Sequence, residues 1–239
     1  MSLNDPELVR REYSDETRLA TRRALWESSD GPDPWQVAFE AVAERKPNRI
    51  LEVGPGPGEF SARLGRDFGV DVVAVDLSPR MVELARARGV DARLGDIQAL
   101  PYADASFDCA VAAWVLYHVP DLERGLGELA RVLGPSGRLV AVTNSARNLW
   151  ELWSLFGADA ERRHPFSCEN GAALLEGHFA RVERLDVRGR VWISDREEAR
   201  RYVAASVTRS HLADELPEDV WPLQATSSVC ILVADKESA

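Results

Sequence analysis

Between residues 48 and 143, short apolar runs alternate with stretches whose apolar positions recur every third or fourth residue, a pattern that predicts strands separated by helices in a parallel sheet. Arg49–Val53 reads as the first strand. It breaks at Gly54-Pro55-Gly56-Pro57-Gly58, after which Phe60, Leu64 and Phe68 mark one helix face. Residues 72–76 predict a second strand. Ser78 then suits an N-cap, Pro79 a first helical turn and Gly89 a helix stop. Residues 90–94 and Phe107–Ala113 follow as strands three and four, the latter apolar almost throughout, as a strand covered on both faces should be. Asp121 caps a helix striped by Leu122, Leu126, Leu129 and Leu133 that ends at Gly134-Pro135, and residues 138–143 complete five strands.

Outside this nucleus the pattern changes. Residues 6–28 read as polar and helical, a cap over the open edge of the sheet, and residues 147–168 as an insertion carrying Trp150, Trp153 and Phe156. Residues 182–191 alternate like a sixth strand. Asp195 and Glu198 form a capping box opening a helix with Ala199, Tyr202, Val203, Ser206 and Val207 on one face, and residues 227–234 close the sheet as a seventh strand. The organisation expected is one domain over 1–239, with a helical cap (1–45), a ligand-binding nucleus (46–145) and a segment of insertion, strand six, lid helix and closing strand (146–239).

Charge and composition narrow the partners. Lys and Arg number 29 against 39 Asp and Glu, a formal charge of −10, and only Lys46 and Lys236 are lysines, so the basic face that a nucleic acid demands is not apparent. No apolar run approaches the roughly 20 residues of a membrane span, and the start of the chain lacks the basic and apolar regions of a secretory signal. Cys109, Cys168 and Cys230 show neither CxxC spacing nor an even disulfide set, and the histidines are equally scattered. These features point to a soluble cytoplasmic protein without a metal, acting on a small molecule.

The glycine loop between the first strand and the first helix lets backbone approach a ligand at the carboxyl edge, where open α/β sheets bind. A dinucleotide fingerprint would place its third glycine at position 59; that residue is Glu59, a carboxylate where a pyrophosphate needs the positive end of a helix. Asp76, 18 residues after Gly58 at the end of strand two, suits the hydroxyls of an adenosine ribose. Asp96 suits an adenine amine, with Ile97 against the ring. Taken singly, Asp76 also reads as a capping aspartate and Asp96 as a turn residue; their order at successive strand ends favours a shared ligand.

The segments Glu52-Val53-Gly54-x-Gly56-x-Gly58, Asp76-Leu77-Ser78-Pro79-x-Met81, Gly95-Asp96-Ile97, Leu116-Tyr117-His118-Val119-Pro120-Asp121 and Leu129-Ala130-Arg131-Val132-Leu133-x-Pro135-x-Gly137 resemble the class I S-adenosylmethionine-dependent methyltransferases, in particular the small-molecule branch with ubiquinone-biosynthesis-like enzymes. The resemblance covers about residues 48–143 and, more loosely, 169–190. It implies an α/β, Rossmann-like fold with a seven-stranded, mostly parallel sheet and helices on both faces. It further implies that Gly54, Pro55, Gly56 and Gly58 border the methionine moiety of S-adenosylmethionine, that Glu52 helps hold its amino end, and that Asp76 takes the ribose. Leu77, Met81, Asp96 and Ile97 would surround the adenine, the backbone of Ala113 would meet the methionyl group, and Tyr13 would close the site from the N-terminal helix.

Methyl transfer needs proximity and alignment above all, and a general base only where the acceptor atom must lose a proton. His118 and Tyr117 are the candidate catalytic side chains; a histidine that hydrogen-bonds nearby backbone is the competing role for His118. Trp114, Trp150, Trp153 and Trp192 read equally as a pocket for a flat or greasy acceptor and as glue for the insertions. The expected activity is transfer to O, N or C of a small, aromatic or hydrophobic metabolite. The alternatives are a non-catalytic S-adenosylmethionine-binding module and an NAD-dependent oxidoreductase.

Overall fold

Seven strands form one sheet: β1 (Arg49–Val53), β2 (Asp71–Asp76), β3 (Asp91–Leu94), β4 (Phe107–Ala113), β5 (Leu133–Asn144), β6 (Arg181–Ile193) and β7 (Leu223–Asp235), in the order β3-β2-β1-β4-β5-β7-β6. The computed structural model describes residues 3–157 and 164–237; positions 158–163 of the expected insertion fall outside them. The first five strands pair in parallel, and β7 runs antiparallel between β5 and β6. Three helices precede β1: α1 (Pro6–Glu12), α2 (Thr17–Ala24) and α3 (Pro34–Ala43). Then come α4 (Glu59–Phe68), α5 (Pro79–Ala87), α6 (Leu122–Val132), α7 (Trp150–Trp153), α8 (Gly171–Glu176) and α9 (Arg196–Ala204).

Successive strand residues point to opposite faces, so the apolar runs fill two cores. Leu51, Val53 and Val75 pack with Leu126 and Leu129 of α6 on one side. Ile50, Cys109 and Val111 pack with Val42 of α3 and Phe60 and Leu64 of α4 on the other. The predicted caps form: Ser78 Oγ accepts from Met81 N at 3.3 Å and Asp121 Oδ1 from Arg124 N at 3.1 Å. Asp195 Oδ1 accepts from Glu198 N at 2.8 Å, while Glu198 Oε2 reaches one residue beyond the cap and accepts from Ser194 N at 2.7 Å, a variant of the expected box.

Several boundaries differ from the sequence expectation. The α6 helix stops at Val132 and Gly134-Pro135 lies in the start of a longer β5, while α9 stops at Ala204, leaving Ser206 and Val207 beyond the helix. In the N-terminal region, residues 28–32 run along the sheet edge. There Asp30 N donates to Arg190 O at 3.1 Å, and Gly31 approaches so closely that a Cβ on it would lie 2.6 Å from Gly189 Cα. The helices before it lie over the carboxyl ends of the strands instead. Cys168 and Cys230 are joined in a disulfide, with Cα atoms 5.7 Å apart, and Cys109 stays buried and free; an odd count of cysteines concealed a pair. Among the described residues, no helix is long and apolar enough to cross a membrane.

Candidate active site

A cleft of about 1370 Å³ opens at the carboxyl ends of β1 to β5. One small ligand fills ~300–1,000 Å³, so the cleft has room for two molecules side by side. The glycine loop forms its floor. A Cβ on Gly56 (φ +55°) would meet only Leu19 Cδ2, at 3.7 Å, so this backbone lies bare to the cleft; Gly54 and Pro55 line it too. Gly58 (φ +86°) does not. It caps α4, and a Cβ there would stand 2.7 Å from that of Ala85, so its smallness serves the docking of α4 on α5.

Asp76 ends β2 at the cleft. Its Oδ1 accepts from Ser78 N at 2.8 Å and its Oδ2 from Gly56 N at 3.3 Å. Burial pushes its carboxyl up to about 6 against the pull of these donors. Leu77 lines the cleft beside it. Asp96, after β3, caps the short turn Ile97–Ala99 by accepting from Gln98 N at 2.9 Å, and both Asp96 and Ile97 line the cleft. Ala113, the last residue of β4, lines it as well.

Two predicted residues stand behind the wall. Glu52 is fully buried and accepts a hydrogen bond from Ser61 Oγ of α4; desolvation, reinforced by Asp76 and Glu59, pushes its carboxyl up to about 7. Met81 is buried under α5. Glu59 is not the bare carboxylate its position suggested: Arg23 Nη1 approaches it at 3.0 Å and Arg88 Nη2 at 2.9 Å. Its repulsion of a phosphate is correspondingly weaker than the sequence implied.

The N-terminal helices close the cleft from above. Tyr13 lines it at the end of α1, its carbonyl accepting from Ser78 Oγ at 2.6 Å. The Tyr13 hydroxyl lies 2.9 Å from His118 Nε2, and His118 Nδ1 lies 2.7 Å from Leu3 O. A carbonyl only accepts, so Nδ1 carries the proton and Tyr13 donates to the lone pair on Nε2. Both ring nitrogens are engaged, and burial pushes His118 down to about 4, holding it neutral. Tyr117 lines the cleft with its ring centroid 4.5 Å from that of His118. Arg22 of α2 is ion-paired with the buried Glu12.

Sequence reasoning missed much of the far wall. Trp114 lines the cleft, but Trp150 and Trp192 are exposed outside it and Trp153 is buried beside Tyr202. Trp26, Trp35 and Asn144 line it in their place. Trp26 and Trp35 lie far from β1–β5 in sequence, and only the fold brings them to the strand ends.

The methyltransferase domain family matches residues 51–141. A demethylmenaquinone methyltransferase of Thermus thermophilus is 39% identical over 112 residues, 44% of this chain and 51% of its own length. A malonyl-[acyl-carrier protein] O-methyltransferase of Halorhodospira halophila is 32% identical over 183 residues, 68% of this chain and 62% of that protein. The chain thus spans about half the length of the first curated relatives it matches. In fold it is similar to the [4+2]-cyclase SpnF, with a TM-score of 0.64 and 23% identity over 97% of this chain and 96% of the other. The glycine loop, the carboxylates closing β2 and β3, and β4 all fall inside the span that matches the methyltransferase domain family.

Proposed function

We propose that the cleft binds S-adenosylmethionine and that the protein transfers its methyl group to an oxygen, nitrogen or carbon of a small aromatic or hydrophobic acceptor. Asp76 carries this reading. It is a half-buried carboxylate with two lone-pair positions taken by backbone donors and others left to accept the two ribose hydroxyls. The bare backbone at Gly56, beside Gly54 packed against Val115, gives room for the methionine chain, Leu77, Asp96 and Ile97 suit the adenine, and the backbone of Ala113 faces the methionyl group. Tyr13 covers the whole. Glu52 acts from behind the loop, biasing the local field toward a cation, while Gly58 and Met81 hold the scaffold.

Bound there, the sulfonium supplies an already activated methyl group: its carbon–sulfur bond breaks as the bond to the acceptor forms, and S-adenosylhomocysteine departs. The protein contributes position and a dry enclosure. His118, neutral and bonded on both sides, fixes the N-terminal segment rather than taking a proton; any proton lost by the acceptor passes to solvent, and Tyr117 contributes as part of the cleft wall. The same reading makes the protein cytoplasmic, with a small molecule rather than nucleic acid as acceptor, in keeping with its charge of −10.

The test is calorimetric titration with S-adenosylhomocysteine and NAD in parallel, followed by mass spectrometry of an acceptor panel supplied with S-adenosylmethionine. Heat with S-adenosylhomocysteine and a 14 Da gain on an acceptor are expected. Heat only with NAD would overturn the reading, and cofactor binding without any methylated product would leave a binding module.

A further inference from the structure

The residue following β4 has an unusual backbone. Trp114 has φ +53°, the left-handed region that is costly for a bulky side chain. The conformation is held from β5: Trp114 N donates to Val142 O at 2.8 Å, and the indole Nε1 donates to Asn144 Oδ1 at 3.0 Å. The indole centroid lies 4.8 Å from that of Trp35, which lies 4.9 Å from Phe60. Trp35, Phe60, Trp114 and Asn144 all line the cleft. In the sheet order β3-β2-β1-β4-β5, Trp114 after β4 and Asn144 at the end of β5 fall on the opposite side of β1 and its glycine loop from Asp76 and Asp96.

The bond to Trp114 also settles the orientation of the Asn144 amide. An indole N–H only donates, so the amide oxygen must face it, and the NH₂ group is the end left over. Among the described residues that NH₂ has no hydrogen-bond partner. A strained tryptophan, an aromatic neighbour and an amide locked with its donor end spare make a surface with two demands: a flat π system to lie against it and an oxygen lone pair to receive the N–H.

We propose that Trp114 and Asn144 are the acceptor-reading residues, and that the second molecule in the cleft is a planar, unsaturated ring carrying a carbonyl or ether oxygen. This rests on the methyltransferase reading above and specifies its substrate class. Trp114 supplies the stacking face and Asn144 Nδ2 the hydrogen bond that sets the ring's rotation in its plane.

Coumarin and octahydrocoumarin separate the two demands, since both carry a lactone carbonyl and only the first is flat and aromatic. The full chain is titrated calorimetrically with S-adenosylhomocysteine, then with each lactone in its presence. Coumarin should bind about 3- to 10-fold more tightly than octahydrocoumarin. Trp114→Leu should bring the ratio to about 1 while leaving S-adenosylhomocysteine affinity within about twofold. Asn144→Asp keeps an oxygen for the indole but removes the donor, and should weaken coumarin by about 3- to 10-fold. Failure to bind S-adenosylhomocysteine would sink the reading of the site itself. With that ligand bound normally, equal affinity for the two lactones, no coumarin binding, or an Asn144→Asp protein that binds coumarin as before would overturn the proposal; the comparison of the two lactones needs no variant to fold.

Discussion

Replacing Glu52 by Gln should make the ligand-free protein more stable, by an amount that grows as pH rises from 4.5 to about 7 and then levels off. Glu52 is 1% exposed, its hydrogen-bond donor is the neutral Ser61, and Asp76 and Glu59 add like charge. Its carboxyl is pushed from 4.5 up to about 7. At about 1.4 kcal/mol per pH unit this is about 3 kcal/mol. Between those two values the folded protein holds a proton that the unfolded chain has released. The stability tied to neutral Glu52 is therefore complete below pH 4.5 and lost as pH rises through about 7. Gln stays neutral and still accepts from Ser61. The gain of Glu52→Gln should be near zero at pH 4.5 and reach about 3 kcal/mol at pH 8, or roughly 6–12 °C in Tm for a chain of this size. Thermal and urea unfolding of both proteins across pH 4.5–8, without ligand, measures it. A gain of equal size at every pH, or a loss at pH 8, would refute the reasoning. The variant should also bind S-adenosylhomocysteine more weakly, since a buried charge kept at a cost is expected where function uses it.

Other expectations follow from the same geometry. Asp76→Asn should weaken S-adenosylhomocysteine by about 10- to 100-fold in calorimetry, the worth of hydrogen bonds to a charged acceptor; in the wild type, affinity should fall as pH drops below about 6 and Asp76 takes up its proton. His118 works with the opposite sign to Glu52. Held near 4 by burial, it contributes stability that is present above its ordinary value of 6.5 and lost as pH falls toward 4, so Glu52→Gln protein should show a steeper acid limb than wild type in unfolding experiments. Tyr13→Phe leaves His118 Nε2 without its donor and should cost about 1–3 kcal/mol in urea unfolding. Gly58→Ala combines a φ of +86° with a Cβ 2.7 Å from that of Ala85 and should lower Tm by several degrees, roughly 2–4 °C for each kcal/mol lost, without altering any residue that lines the cleft.

What the sequence revealed and what it hid divide along a physical line. Strands β1 to β4 and the caps at Ser78, Asp121 and Asp195 are local: an apolar run or a side chain reaching three residues along the backbone decides them. The adjacency of Asp76 and Asp96 follows from strand order, which the alternation of strand and helix nearly dictates. The Trp35–Trp114–Asn144 wall joins residues up to 109 positions apart whose spacing carries no period. The pairing of Cys168 with Cys230 is of the same kind, at a separation of 62. Glu52 shares the end of β1 with Val53, which does line the cleft, and Met81 lies four residues past Leu77, which lines it too; only packing decides that their own side chains turn inward. Charge position was legible for Glu59, but charge partnership was not, because Arg23 and Arg88 come from different helices.

The placement of β7 has a consequence for biogenesis. It reaches Asp235 and is flanked by β5 and β6 along 7 and 13 paired positions. The sheet's keystone is therefore synthesised after the other six described strands, and until it emerges β5 and β6 each present an unsatisfied ladder of backbone donors and acceptors. The nascent chain can assemble the half built on β1 to β5 first, but the remainder must wait for β7. Chaperone protection should be needed in that interval, and a premature stop before residue 223 should yield a sticky, aggregation-prone product instead of a smaller working protein.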